Sequence, residues 1–261
     1  MEFIDAHSHY NDEKFEDDLE EVIKRTKEEG VTKVICAGYD IDSSLKSLEL
    51  SSKYDFIYST CGISPNDVPG NLENINELIA ELEKIIQNDK IVAVGEIGLD
   101  YYWNTDNKEI QKEFFKKQIE LANKYNLPIQ IHTREAVMDT IQILKDNPVN
   151  KRGMFHCCPL NRELVKEALK LDFYISFAGP ITFKNSKNAE EIVNMVPLNR
   201  IIIETDSPYL SPEPKRGTRN ECANVKITAA KIAEFRNISI EEVAEQTTNN
   251  VLELFGKITI K

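Results

Sequence analysis

Four histidines, His7, His9, His132 and His156, are all the sequence contains, and their positions carry its first chemical signal. His7 and His9 stand one residue apart in DAHSH, behind the apolar pair Phe3-Ile4. Side chains two apart on a strand project to the same face, so this pair can grip one object. Glu96 follows IVAVG and Asp206 follows RIIIET, and a carboxylate buried beside such runs is costly unless paired, protonated or bound to metal. Four imidazoles and two carboxylates exceed what one divalent ion takes from a protein. One ion uses about four donors, and six suit two ions sharing a carboxylate bridge. The mixed nitrogen and oxygen set fits Zn, Mn or Fe(II), with Mg a poorer match.

These residues need elements to bring them together. Eight short apolar runs recur along the chain: EFIDAH, KVICAG, FIYSTCG, IVAVGE, PIQIHT, GMFHCC, FYISFA and RIIIET. Several are apolar at consecutive positions, as strands buried on both faces should be. Amphipathic segments alternate with them, such as NINELIAELEKIIQND, whose Ile75, Leu78, Ile79 and Leu82 follow helical spacing. DDLEEVIKRTKEEG and KEIQKEFFKKQIELANKYN have the same character. Eight such units in 261 residues are about 33 residues each, the size of one βα unit. The pattern predicts a parallel sheet, either a (β/α)8 TIM barrel in α/β class or a doubly wound sheet. The histidines decide between them. His7 and His9, Glu96, His132, His156 and Asp206 each close or follow a predicted strand. In a closed barrel those ends converge, whereas in an open sheet strands 1 and 8 need not be neighbours and the set would scatter, which favours the barrel.

Composition bounds the rest. No low-complexity tract, linker or composition shift divides the chain, so residues 1–261 are read as one domain. The net charge of −12 argues against broad electrostatic adhesion to nucleic acid or anionic membrane, but leaves room for a nucleic acid gripped locally by metal ions and arginines. No apolar run is long enough to span a bilayer, and the N-terminus lacks the pattern of a signal peptide. Five cysteines with no CxxC pair point to reduced thiols in a cytoplasmic protein.

The motifs resemble those of the TatD-type metal-dependent deoxyribonucleases of the amidohydrolase superfamily, nearly end to end. DAHSH looks like the family's opening D-x-H-x-H, VGEIGLDYY its glutamate motif, IHTREA and FHC its later histidine motifs, and ETDSPYLSPEPKRGTRNE its aspartate motif. The resemblance implies a TIM barrel that hydrolyses DNA phosphodiester bonds, typically from the 3′ end of single strands. It implies one metal on His7, His9 and Asp206, another on His132 and His156, and Glu96 as the bridge. The expected mechanism is attack of a metal-activated water on phosphorus, with Asp206 also accepting the proton. Arg216 and Arg219, and Arg134 two residues past His132, are expected to bind phosphate oxygens, which arginine matches bidentately. Tyr102, with Tyr101 and Trp103, is expected to stack on bases or pack over the barrel mouth.

Three departures bear on substrate choice. Ser64 and Asn66 replace two histidines usual after strand 3, Cys157-Cys158-Pro159-Leu160 replaces C-F-S-G, and Cys222 replaces a proline. None falls on the six expected ligands. The alternative is an amidohydrolase or deacylase on the same scaffold, such as one that removes misacylated amino acids from tRNA. Many superfamily amidases bridge their metals with a carboxylated lysine, and the glutamate here favours the nuclease branch. Neither reading requires an obligate protein partner.

Overall fold

The computed structural model describes residues 1–103 and 105–259. Each of the eight apolar runs is a strand: β1 (Phe3–Ser8), β2 (Val31–Cys36), β3 (Ile57–Cys61), β4 (Ile91–Asp100), β5 (Ile129–Arg134), β6 (Gly153–Phe155), β7 (Tyr174–Phe177) and β8 (Ile201–Ile203). They pair in parallel in chain order, β1 through β8. The ends meet through Asp206 N–H donating to His7 O (2.9 Å) and His9 N–H to Ser207 O (2.7 Å). The result is the (β/α)8 barrel. Helices cover the strands: α1 (Leu19–Glu28), α2 (Ile41–Lys53), α3 (Ile75–Ile85), α4 (Lys108–Tyr125), α5 (Val137–Asp146), α6 (Arg162–Lys170), α7 (Ala189–Met195), α8 (Val225–Arg236) and α9 (Ile240–Leu254).

Two apolar cores follow from strands buried on both faces. The larger lies between strands and helices and includes Val22, Val34, Leu82, Phe114, Phe115, Ile131, Leu164 and Ile232. The smaller fills the barrel's lower interior, where Ile4, Ile35, Val92, Met154, Tyr174 and Ile202 meet Val251, Leu254 and Phe255 of α9 and its end. That plug leaves the opposite, C-terminal mouth as the polar end.

One strand departs from expectation. The sequence reading ends β4 at Glu96, whereas β4 runs on to Asp100, with Gly98 opposite His132 and Asp100 opposite Arg134 on β5. Gly98 makes this possible: its φ is +139°, and a Cβ there would lie 2.0 Å from the His132 carbonyl oxygen. Glu96 therefore sits inside the barrel wall rather than at its rim. Helix α2 also breaks the apolar-stripe rule, since it turns Ser43, Ser44, Ser47 and Ser51 inward. Ser47 Oγ donates to Cys36 O (2.8 Å), and small side chains let the helix lie close to the sheet.

Candidate metal centre

β1 supplies His7, with His9 just past its end; β4 supplies Glu96, β5 His132, and the residues after β6 and β8 supply His156 and Asp206. The six side chains converge below the mouth. Glu96 stands between two groups. Its Oε2 lies 3.6 Å from His7 Nε2 and 3.8 Å from His9 Nε2. Its Oε1 lies 2.8 Å from His132 Nδ1 and 3.3 Å from His156 Nε2. Asp206 Oδ1 joins the first group at 3.6 Å from His7 and 3.3 Å from His9. The His7 and His156 rings stack at 4.0 Å between centroids, so the two groups share a wall. Asp206 adopts a left-handed φ of 56°, a conformation uncommon for non-glycine residues that clusters at functional sites.

The outward ring nitrogens fix what the inward ones can do. His7 Nδ1 lies 2.9 Å from Gln130 Oε1, and Gln130 Nε2 donates to Ala6 O (2.8 Å), so the Gln130 oxygen is the acceptor. His9 Nδ1 meets the Ala37 carbonyl at 3.3 Å. His132 Nε2 meets Asp100 Oδ2 at 2.9 Å, and His156 Nδ1 lies 3.3 Å from Glu204 Oε1. The outward nitrogens of His7, His9 and His132 each meet an acceptor and so carry a proton, and His156 Nδ1 lies near the Glu204 carboxylate without a formed hydrogen bond. In the neutral imidazoles the inward nitrogens are then lone pairs, yet His7 and His9 bring theirs within 3.2 Å, as do His132 and His156. Lone pairs aimed at each other and at two carboxylates repel unless a cation lies among them. The donor set fits divalent metal, and three groups of donor atoms have the closeness such ions need.

The electrostatics agree. Burial opposes charge on His156, but the Glu96 carboxylate outweighs it and raises the imidazole well above its ordinary range. His9 is raised despite burial by Asp206, and His132 likewise by Asp100 and then Glu96. Burial would lift Glu96, yet the facing imidazoles, His156 foremost, bring it well below the usual carboxylate range. Asp206 is lowered in the same way, chiefly by His9. Raised bases beside lowered acids mark a site that draws in positive charge.

The remaining expected residues fall into distinct places. Arg134 is exposed, two residues past His132 on the same side of β5, with its guanidinium carbon 3.7 Å above the Tyr102 ring. Arg216 is exposed and lies 3.7 Å over the Phe183 ring, beyond β7. Among the described residues neither has a carboxylate partner within salt-bridge distance. Arg219 differs. Its guanidinium donates to both Asp18 oxygens (2.7 and 2.7 Å) and to Lys14 O (2.6 Å), so it straps the loop after β8 to the start of α1. Unlike Arg134 and Arg216, Arg219 has its guanidinium donors engaged by the protein itself. Asn66 Nδ2 reaches Asp100 Oδ2 at 3.4 Å, and Ser64 Oγ donates to Asp67 (2.5 Å). Cys158 and Cys222 are buried packing residues.

The sequence reading missed the residues that orient the ligands: Asp100, Glu204 and Gln130. A signal existed. Gln130 stands two residues before His132 on the same face of β5, and Glu204 directly follows the apolar run of β8.

Residues 4–256 match the family model described as TatD related DNase. The chain is 43% identical over 253 residues to the uncharacterized metal-dependent hydrolase YabD of Bacillus subtilis, covering 97% of this chain and 98% of that one. It is 34% identical over 262 residues to the uncharacterized metal-dependent hydrolase YcfH of Escherichia coli K12, covering 98% and 96%. Among solved structures, YJJV, a TatD homologue from Escherichia coli K12, superposes with a TM-score of 0.92 at 26% identity, covering 97% of this chain and 98% of that one.

Proposed function

The chain belongs to the TatD-related DNase family of metal-dependent hydrolases, and we propose that its substrate is single-stranded DNA, cut at phosphodiester bonds from the 3′ end. The observation that carries this reading is Glu96, whose two oxygens face two separate pairs of imidazole nitrogens. His7, His9 and Asp206 would hold one divalent ion and His132 and His156 a second, with Glu96 serving both. Zn, Mn and Fe suit these donors, and Mg less so. When bound, the ions supply neutralisation of the phosphate oxygens and a water of lowered pKa.

The chain's own residues do the rest. Asp206 has 13% of its side chain open to the mouth and lies within reach of His9, so it can take the proton released by the attacking water. Gln130, Ala37 O and Asp100 hold His7, His9 and His132 in the tautomer that turns their lone pairs inward, with the Glu204 carboxylate near His156. Arg134 and Arg216, without carboxylate partners among the described residues, bind phosphates on either side of the mouth. No helix among the described residues is long and apolar enough to cross a membrane. We place the enzyme in the cytoplasm, because its five cysteines are unpaired and oxidising compartments favour disulfides.

The test is a panel of end-labelled single-stranded and duplex DNA and RNA, incubated with chelator or with added Mn or Mg. Single-stranded DNA should shorten from its 3′ end only when metal is present, and Glu96→Ala should be inactive while folded. Release of the amino acid from an aminoacyl-tRNA without strand cleavage would instead mark a deacylase.

A further inference from the structure

Beside the mouth, on the β4–β5 side, the chain presents three large apolar side chains to water. Trp103 is 68% exposed, Tyr102 48% and Met138 77%. Exposed aromatic surface of this size is uncommon on a soluble domain and marks a contact site when it is held in place. Here it is. The Tyr102 and Trp103 N–H groups both donate to Asp100 Oδ1 (2.9 and 3.1 Å), the carboxylate whose other oxygen accepts from His132 Nε2. Tyr101 N–H donates to Arg134 O (2.9 Å), and Tyr101 OH to Asp139 (2.7 Å). Buried Gln111 on α4 holds the Asp100 backbone from behind, accepting at 2.8 Å and donating at 2.9 Å. The aromatic turn is thus anchored through one buried carboxylate to a residue of the metal centre.

We propose that this ledge is a stacking platform for an unpaired nucleobase next to the scissile phosphate, with Trp103 as its main face and Arg134 on the adjoining phosphate. This rests on the nuclease reading and adds how single strands are chosen. Trp103 stands edge to face with Tyr102 at 4.8 Å, and Arg134 stacks on Tyr102 at 3.7 Å and reaches within 5.4 Å of the indole centroid, while Trp103 stays 68% exposed. Two residues of strand separate Arg134 from His132, a rise of about 6.6 Å, close to the spacing of neighbouring phosphates along a strand. A protein of net charge −12 that gives this guanidinium no carboxylate partner among the described residues has placed it for an anion. Bases in a duplex are stacked and paired already, so the platform rewards single strands.

Trp103 is the sole tryptophan, and its emission reports the platform directly. Binding of phosphorothioate-linked oligothymidylate, cut slowly, should quench that emission, and an abasic strand of equal length should not. Trp103→Ala should lower the ratio of kcat/KM on oligothymidylate to kcat/KM on bis-p-nitrophenyl phosphate roughly 5- to 150-fold, the range of one base–aromatic stack. Trp103→Phe should recover most of it. If oligothymidylate is cleaved but neither emission nor that ratio changes, the platform is wrong and the nuclease reading stands. If the wild-type protein cuts no oligonucleotide, both fall together.

Discussion

At the scale of single residues, the site is defined as much by what stands behind the imidazoles as by the imidazoles themselves. Asp100 is the clearest case. Burial raises its carboxyl, but the His132 hydrogen bond and two backbone N–H groups bring it down to about 2. It therefore stays a carboxylate acceptor and keeps the His132 lone pair on Nδ1, facing Glu96. Asp100→Asn should weaken metal binding about 10- to 100-fold, as loss of such outer partners does, measured by competition with a chromophoric chelator. Unchanged affinity would remove Asp100 from this role. The raised imidazoles give a second expectation. In chelated protein His9, His132 and His156 have folded pKa values above the ordinary 6.5, so proton uptake stabilises the fold fully below about 6.5 and that stability is lost as pH rises through the raised values. Metal competes with those protons and binds better as they leave. The gap in Tm between metal-loaded and chelated protein should widen from pH 6 to pH 8.5. A constant or shrinking gap would contradict the assignment.

At the scale of elements, the sequence was most legible where its pattern reflects burial. All eight strands stand in the apolar runs, because a parallel strand covered on both sides must be apolar throughout. The amphipathic stretches containing Leu82, Phe114 and Val22 are α3, α4 and α1. Legibility failed where close approach replaces apolar area. Helix α2 buries serines, and periodicity does not register them. The extension of β4 past Glu96 depends on Gly98, whose absent side chain makes room for a carbonyl that no sequence pattern announces. Gly98→Ala should cost at least about 2 kcal/mol and disturb metal binding, since the added methyl meets the His132 backbone and the φ disfavours any side chain. Chemical denaturation of the chelated protein would measure it. The surroundings of Arg219 were hidden for a related reason: composition revealed a basic turn, but of the two acids paired with it, Glu221 is two residues on and Asp18, just before α1, is about two hundred residues earlier. Asp18 is held below its usual range chiefly by Arg219, and Glu221, despite burial, by Arg25 and Arg219. These depressed carboxylates stabilise the fold above about pH 4, and that contribution fades as pH falls through their folded values. Arg219→Ala should therefore lower Tm more at pH 7 than at pH 3, by the equivalent of about 1 kcal/mol at the higher pH. An equal drop at both would show that the strap works by packing alone.

At the scale of the molecule, the barrel divides its tasks between its two ends. Below, α9 closes the interior with Val251, Leu254 and Phe255 against strand residues such as Ile4 and Tyr174. Above, polar side chains replace that core, and six of them form the donor set. The meeting of Asp206 with His7 and His9 was readable from the sequence, because the barrel returns β8 to β1 across the seam. The arrangement around Glu96 was not, since it depends on side-chain atoms rather than strand order. Because the lower core contains none of the donors, chelation should leave the far-ultraviolet circular dichroism unchanged while abolishing activity. The central claim is that the two groups on either side of Glu96 act as one two-ion centre. Titrating chelated protein with Mn or Zn while following cleavage of single-stranded oligodeoxynucleotide tests it directly. The rate should rise to a plateau at two equivalents of metal per chain. A plateau at one equivalent, or cleavage that needs no added metal, would contradict it.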